Sequence, residues 1–497
     1  MSSDLNRLMA SWKQEWGKVV RGKIDKKTNE KLDYLNNQIN EQWKKLGWEI
    51  PKGVVEKEST NEWRGRRETV SLVPITKQDG EITSLMRAVE LALAPGKKVI
   101  IVKDRAQMTA VALMTNLYLF KTLNERYKRV VKGTATGATT MSLRMLWGLL
   151  PSLLTSDKEA LELVKAIGIE SAELKQLLKM ISKVVTLDDY GWTKESIETD
   201  RQLIGWEKMI PYTYREEQWT LWKYLLRDRK RLISPMSEKK STEEILRGFR
   251  NKTSKLIVAA QDWGVGSDGH GGFNEPGYDP FSPDQVVTLN DLTLIQNITG
   301  FLRPEERRVS MIFRNLAAEK QIYDLNKLKI EFEKELKAKV SPSYLGVTQK
   351  QWEEIKKHYL EEWDYLNKII KRIPKQAITQ GVGDSIGRVM FHQFMADKPH
   401  KARAVERVLE GKIGREAPAT GLRMAPRVVF LVTQNSAHYL KDTDKYFYLN
   451  LDQEDTKSFE DKVIYEEYVR RGKANGKNNW QLAAELNEQV ESVSVWG

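Results

Sequence analysis

The chain has 497 residues, 40% hydrophobic and 30% charged, which is long enough for two or three domains and too hydrophobic for a disordered chain. Its 81 Lys and Arg against 68 Asp and Glu give a net charge of +13, which favours a polyanionic partner, nucleic acid before an anionic membrane. Cysteine is absent, which excludes disulfides, iron–sulfur clusters and a thiol nucleophile. The alternative for the charge is a basic protein without such a partner.

The first residues are charged throughout and lack the apolar stretch of a signal peptide. No uncharged apolar run approaches the roughly 20 residues that a membrane span needs. These two observations predict an intracellular or encapsidated protein.

Residues 1–50 form a predicted N-terminal arm of two helices, because apolar side chains recur there at spacings of three and four. Trp12, Trp16 and Trp43 lie on these helices, and tryptophans are frequent anchors of protein interfaces. We expect them to contact a neighbouring subunit. The alternative is a helix pair packed on its own domain.

An N-terminal lobe is expected over residues 51–235, with its best strand signal in the apolar run 99–102. The neighbouring Gly96 and Lys97 do not form a phosphate-binding loop, because they precede the strand and no glycine-rich loop follows it. Residues 126–156 contain no acidic residue. Small residues and basic side chains in this stretch are typical of a groove that holds phosphates.

Residues 262–285 form the least regular stretch, with six glycines and three prolines between positions 262 and 284. Its acidic residues and His270 are compatible with a metal site, and Asp268 with His270 is compatible with a catalytic pair. Their spacing does not match a calcium-binding loop. The favoured interpretation is a long surface loop within a C-terminal lobe over residues 236–471.

The rest of that lobe is predicted to be mostly helical. A helix begins at Pro304 and carries three arginines, and the low-acid stretches 365–405 and 417–441 carry five more. Glycines at the start of a helix before Arg388 suggest anion binding. Residues 472–497 form a predicted C-terminal arm with Trp480 and Trp496, for which a frayed terminal helix is the alternative.

Catalytic and metal-binding motifs are missing from the sequence. The five histidines are scattered without a zinc-binding pair, and no serine-nucleophile turn is present. The sequence therefore predicts no catalytic residue, no metal ligand, no cofactor and no enzyme.

These patterns together predict a mainly α fold, with two helical lobes flanking a basic cleft, N- and C-terminal arms and few short strands. The predicted function is that of a nucleocapsid protein, which coats single-stranded viral RNA and assembles with itself through its arms, with a polymerase complex as a further partner. Its location would be the virion and the infected cell. The alternatives are a closed-shell capsid protein, a cellular nucleic-acid-binding factor and a nucleic-acid-processing enzyme. The predicted RNA contacts are Arg126, Lys128, Arg129, Lys132, Arg144, Arg307, Arg308, Arg314, Arg388, Arg423 and Arg427.

Overall fold

A computed structural model describes part of the chain. The described residues are 4–22, 25–45, 62–63, 66–67, 85–94, 96–102, 108, 111–112, 115–116, 118–119, 130–134, 181–185, 232–233, 240–254, 256, 258–298, 304–342, 345, 347–370, 375–441 and 447–448.

A parallel sheet of eight strands organises these residues, in the order β12-β3-β11-β10-β7-β4-β5-β6. Every pairing between neighbouring strands of this sheet is parallel. The strands are β3 (Gly96–Val102), β4 (Val130–Thr134), β5 (Ile181–Val185), β6 (Leu232–Ile233), β7 (Val258–Gly264), β10 (Val389–Ala396), β11 (Arg427–Thr433) and β12 (Phe447–Tyr448). Two small antiparallel pairs accompany it, β1 (Glu62–Trp63) with β2 (Arg66–Arg67) and β8 (Gln285–Thr288) with β9 (Gln376–Thr379).

Burial of the central strands explains why these sequences form a parallel sheet. Every residue of β10 and β11 is buried, as are the first six of β7. Strands of a parallel sheet are covered on both faces, so they are continuous apolar runs without an alternating pattern. The prediction of a mainly helical fold is therefore wrong, because a short apolar run does not distinguish a buried strand from a buried helix.

The described part of the chain also contains helices. They are α1 (Asp4–Val20), α2 (Lys26–Lys45), α3 (Leu85–Leu93), α4 (Thr242–Thr253), α5 (Asp291–Ile298), α6 (Pro304–Lys320), α7 (Leu325–Glu335), α8 (Gln349–Ile370), α9 (Val382–Arg388), α10 (Ala402–Glu410) and α11 (Gln434–Ala437). Two 3-10 turns, Pro399–Lys401 and Pro418–Met424, flank α10. No helix in the described part of the chain is long and apolar enough to cross a membrane.

The N-terminal helices pack on the chain's own core. Trp12 and Trp16 are buried and stack with ring centroids 5.2 Å apart. The indole N–H of Trp16 donates to the carbonyl of Gly383 in α9 at 2.7 Å. These two side chains are therefore covered by their own chain and unavailable as anchors on another subunit. The side chain of Trp43, and Trp480 and Trp496, lie outside the described residues.

The helices between β8 and β9 form a second hydrophobic cluster beside the sheet. Phe313 of α6 lies at its centre, with ring centroids 4.5 Å from Phe332 of α7 and 4.9 Å from Trp363 of α8. The helix predicted to begin at Pro304 does begin there. This helical segment also contacts Phe273, which belongs to the loop after β7.

The strand order unites the two halves of the chain. Strands β3 to β6 come from the predicted N-terminal lobe and β7, β10, β11 and β12 from the predicted C-terminal lobe. The structure therefore contains one sheet shared by both halves, and the predicted cleft between two helical lobes is wrong.

Candidate active site

The loop that follows β7 lies at the carboxyl end of a central strand, between β10 and β4. In open parallel sheets, ligands bind beyond the carboxyl ends of the strands. Asp268 and Asn274 of this loop are fully buried, and His270 is 8% exposed. The prediction of a surface loop is therefore wrong.

Hydrogen bonds from buried side chains fix this loop. Asn274 donates through Nδ2 to the carbonyls of Gly271 at 2.8 Å and Gln380 at 2.7 Å. The backbone N–H of Phe273 donates to Thr379 Oγ1 at 2.9 Å. The loop is thus tied to the end of β9, which lies about a hundred residues further along the chain.

Two glycines allow the loop to close around His270. A Cβ at Gly266 would lie 2.0 Å from the His270 ring, so only glycine fits this approach. Gly269 has a φ of 90°, and a Cβ there would lie 2.7 Å from Ala417 Cβ. The glycine-rich composition of the loop therefore serves a compact buried turn.

Asp268, His270 and Glu275 form a buried cluster, with one potential ligand atom of each within 4.8 Å of the others. His270 Nδ1 lies 2.6 Å from Asp268 Oδ1. Asn290 joins the two carboxylates: its side-chain Nδ2 donates to Asp268 Oδ2 at 2.9 Å, and its backbone N–H donates to Glu275 Oε2. We call these three residues the acid–base cluster.

The environment moves the pKa values of the cluster apart. Burial opposes charge on Asp268, but His270 and its hydrogen bonds hold the pKa of that carboxyl below its ordinary value. Burial also opposes charge on His270, yet the Asp268 carboxylate raises its pKa. For Glu275, burial and then the charge of Asp268 raise the pKa to about 8. The environment therefore favours charge on both Asp268 and His270, and at neutral pH Glu275 beside them is protonated.

This arrangement is suited to proton transfer. A histidine oriented by a carboxylate through one ring nitrogen exchanges protons through the other, and a carboxyl with a pKa near 8 acts as an acid at neutral pH. The same donor set matches a divalent cation in type, but Asp268 Oδ1 and His270 Nδ1 already lie 2.6 Å apart as an ion pair. Proton transfer is the chemistry that this geometry favours.

A cationic group lies at the carboxyl end of β10, the strand next to β7. Lys401 ends the 3-10 turn there, is buried, and acts electrostatically on His270. Arg314 of α6 is also buried, and neither its Nε nor its Nη1 has a hydrogen-bond partner among the described residues. Both cations, after burial itself, lower the pKa of His400 well below its ordinary value. Both cations thus lie near His400. Lys401, whose Nζ is 3.8 Å from the Asp397 carboxylate, also lies close enough to His270 to affect it.

Other predicted RNA contacts are internal. Arg388 pairs through two bonds of 2.8 and 3.0 Å with Asp284. Arg423 donates to the carbonyl of Gly411 at 2.6 Å, and Arg427 to that of Leu93 at 2.8 Å. Because the guanidinium groups of these arginines are buried and bonded within the protein, they do not line a surface groove.

The remaining predicted contacts are not fully described. Arg126, Lys128, Arg129 and Arg144 lie outside the described residues. The structure describes only the backbone of Lys132, in β4, and of Arg307 and Arg308, in α6. It therefore does not bring the eleven predicted residues together.

The sequence is similar to that of curated glucosamine-6-phosphate deaminases. The deaminase of Bifidobacterium longum is 24% identical over 191 residues, which cover 38% of this chain and 46% of the relative. The deaminase of Thermoanaerobacter pseudethanolicus is 30% identical over 77 residues, covering 16% of this chain and 30% of the relative. These relatives are enzymes. The chain spans less than half the length of either, and no model of a known protein family matches it.

Solved structures give a weaker similarity. A monomeric glucosamine-6-phosphate deaminase of the NagB superfamily overlays with a TM-score of 0.42 and 17% identity, covering 68% of this chain and 98% of that one. A 6-phosphogluconolactonase from Trypanosoma brucei overlays with a TM-score of 0.37 and 9% identity, covering 70% and 100%. Scores this low carry no conclusion about activity.

The comparisons overturn the predicted function. Relatives that are metabolic enzymes contradict a nucleocapsid protein, and with it the virion location, the RNA and polymerase partners and assembly through the arms. They also contradict the prediction that the chain is not an enzyme. The physical reason is that net charge gave no information on where the basic side chains lie.

The acid–base cluster was only partly visible in the sequence. The sequence suggests Asp268 and His270 as a catalytic pair, but it indicates Glu275 only as a possible metal ligand. The signal lay in the position of the loop, directly after the apolar run 258–260. A glycine-rich loop after a buried parallel strand predicts a ligand site, whereas the same loop after a helix does not.

Proposed function

We propose that the protein is an enzyme that deaminates an amino-sugar phosphate by acid–base catalysis. The observation that carries this proposal is the buried acid–base cluster at the carboxyl end of β7. The similarity to glucosamine-6-phosphate deaminases supports the substrate class.

The reaction consists mainly of proton transfers. The sugar ring opens, and a proton moves from the amine-bearing carbon to the neighbouring carbonyl carbon. The carbonyl oxygen gains a proton as the amine nitrogen loses one, which gives an imine beside a hydroxymethyl group. Water then hydrolyses this imine to a ketose phosphate and ammonia. Ring opening requires a proton to leave one sugar oxygen and reach another. His270, held by Asp268, supplies a group that both accepts and donates protons, and protonated Glu275 supplies an acid.

The two buried cations fit the phosphate of such a substrate. Arg314 has unsatisfied donors in a buried position, which is costly without an anion. Lys401 immediately precedes α10, and the N-terminus of that helix attracts negative charge. A phosphate between them would be held by charge-assisted hydrogen bonds beside the acid–base cluster.

The proposal is tested by ammonia release from glucosamine 6-phosphate and from a panel of other amino-sugar phosphates. We expect ammonia and the ketose phosphate in equal amounts, and a loss in kcat of roughly 100-fold or more in His270→Gln, because general acid–base catalysis contributes about that much. His358→Gln is the matched control, since His358 is an exposed histidine of α8, and it should retain full activity. Failure to deaminate any of the substrates, or full activity in His270→Gln, would contradict the proposal.

A further inference from the structure

The turn between α6 and α7 begins with an unusual backbone conformation. Gln321 has a φ of 54°, and no other residue than glycine has a positive φ in the described ranges. A side chain in this left-handed region costs about 1–2 kcal/mol. Such a conformation persists where the surrounding contacts hold it.

The side chain of Gln321 supplies those contacts. Its Nε2 donates to the carbonyl of Ser267 at 3.2 Å and to that of Ala318. Its Oε1 accepts from the Tyr323 hydroxyl at 2.7 Å and from Arg407 Nη2 in α10. One amide therefore joins the helical segment, α10 and the residue that directly precedes Asp268.

A second bond connects the same region to the other side of the acid–base cluster. The backbone N–H of Leu325, the first residue of α7, donates to Asp291 Oδ2 at 2.9 Å. The adjacent Asn290 is the residue that bonds both Asp268 and Glu275. The α6–α7 connection thus contacts the chain segments on both sides of the cluster.

We propose that Gln321 is a positioning residue, which sets the distance between Asp268 and His270 by holding the Ser267 carbonyl. As a role in catalysis, this inference rests on the proposed function. It assigns a purpose to the helices between β8 and β9, which then orient the catalytic loop as well as packing beside it. It also explains glutamine at a position whose φ favours glycine, because glycine would remove the amide that ties the loop.

Loss of the Gln321 amide should change the pKa of His270 in a defined direction. Its pKa is raised by the nearby Asp268 carboxylate against the opposing effect of burial. If Ser267 is released, Asp268 moves away from the ring and burial dominates. The pKa of His270 should then fall, and less of it is protonated at neutral pH.

Two variants and a control test this role. Gln321→Gly removes the amide and relieves the backbone, so it should be more stable than Gln321→Ala, which removes the amide with the same φ constraint. In both we expect kcat to fall about 10- to 100-fold, as for residues that orient catalytic ligands, with a change in KM of less than about twofold. The control is Gln349→Ala. Gln349 is an exposed glutamine at the start of α8, and its side chain also donates hydrogen bonds, to the Lys339 carbonyl and the Glu353 carboxylate.

Titration of His270 by NMR separates this inference from the proposed function, because it requires no substrate. A lower pKa of His270 in both Gln321 variants, with the wild-type value in Gln349→Ala, would support positioning even if no amino-sugar phosphate is deaminated. An unchanged His270 titration in Gln321→Gly overturns the inference. So does a wild-type pH–rate profile in that variant, whatever its stability.

Discussion

Glu275 is a carboxyl that the fold keeps protonated under conditions in which most glutamates are charged. It is buried and lies beside Asp268, so ionisation would place two negative charges in a water-poor environment. Its pKa of about 8 makes folding pH-dependent in a definite direction.

A Glu275→Gln variant tests this dependence, because glutamine keeps the shape without the titration. A carboxyl whose folded pKa is raised contributes full stability below its ordinary value, 4.5, and loses that contribution as the pH rises through about 8. We therefore expect wild type and variant to have similar melting temperatures at about pH 5, with the variant more stable at about pH 9. A difference in melting temperature between wild type and Glu275→Gln that does not change with pH would contradict the raised pKa of Glu275.

The arginines show why the sequence predicted too much surface charge. Arg388 is neutralised by Asp284, a residue 104 positions earlier in the chain. Nothing near Arg388 in the sequence indicates this partner, so a local count of acidic residues treats the arginine as free. For the same reason, Asp268 and His270 could be suspected from the sequence, but the contact of Asp268 with Asn290 could not.

At the level of elements, several amphipathic helices were predicted correctly, whereas β4, β5 and the central strands were not recognised. Two helices, α6, which begins at Pro304, and α8, which ends before Pro374, show the 3.6-residue spacing of apolar side chains. This spacing identifies an amphipathic helix. The strand β10 lies in a region predicted to be mostly helical, and its eight residues are all buried and show no alternation that would indicate a strand. Only β3 was recognised, since charges flank its apolar run on both sides.

The N-terminal helices are expected to stabilise the sheet domain itself. Trp16→Ala removes a buried indole and its hydrogen bond to Gly383, so we expect a loss of about 3–5 kcal/mol in the free energy of unfolding. Arg7→Ala on the exposed face of the same helix should change stability by less than about 0.5 kcal/mol. Chemical denaturation measures both. Equal midpoints for Trp16→Ala and wild type would mean that α1 does not belong to the core.

For the molecule as a whole, the net charge was the main reason for the wrong prediction of a nucleic-acid partner. A value of +13 describes solubility and the general attraction of anions, and it contains no information on fold. In our proposal, the buried cations Arg314 and Lys401 direct positive charge to a small anion. A sugar phosphate and a nucleic acid both present phosphates, and composition does not separate them.

The sheet should be the most protected part of the molecule. Strand β10 is completely buried and paired on both sides, by β7 and β11. Its amide hydrogens can exchange only when the whole domain unfolds, whereas those of the outer helix α2 exchange through local opening. Hydrogen exchange followed by mass spectrometry should therefore find the slowest peptides over β10 and β11. Slower exchange in α2 than in β10 would contradict this hierarchy.

The position of β3 in the sheet constrains how the protein is made. This strand lies between β11 and β12, so both of its partners are synthesised roughly 330 residues after it. At a synthesis rate of about 5–20 residues per second, the apolar strand β3 leaves the ribosome about 15–70 s before its partner strands are available for pairing. During that time its edges are open to other chains. Translation speed over the middle of the message, and chaperones that cover β3, should therefore decide the yield of native protein.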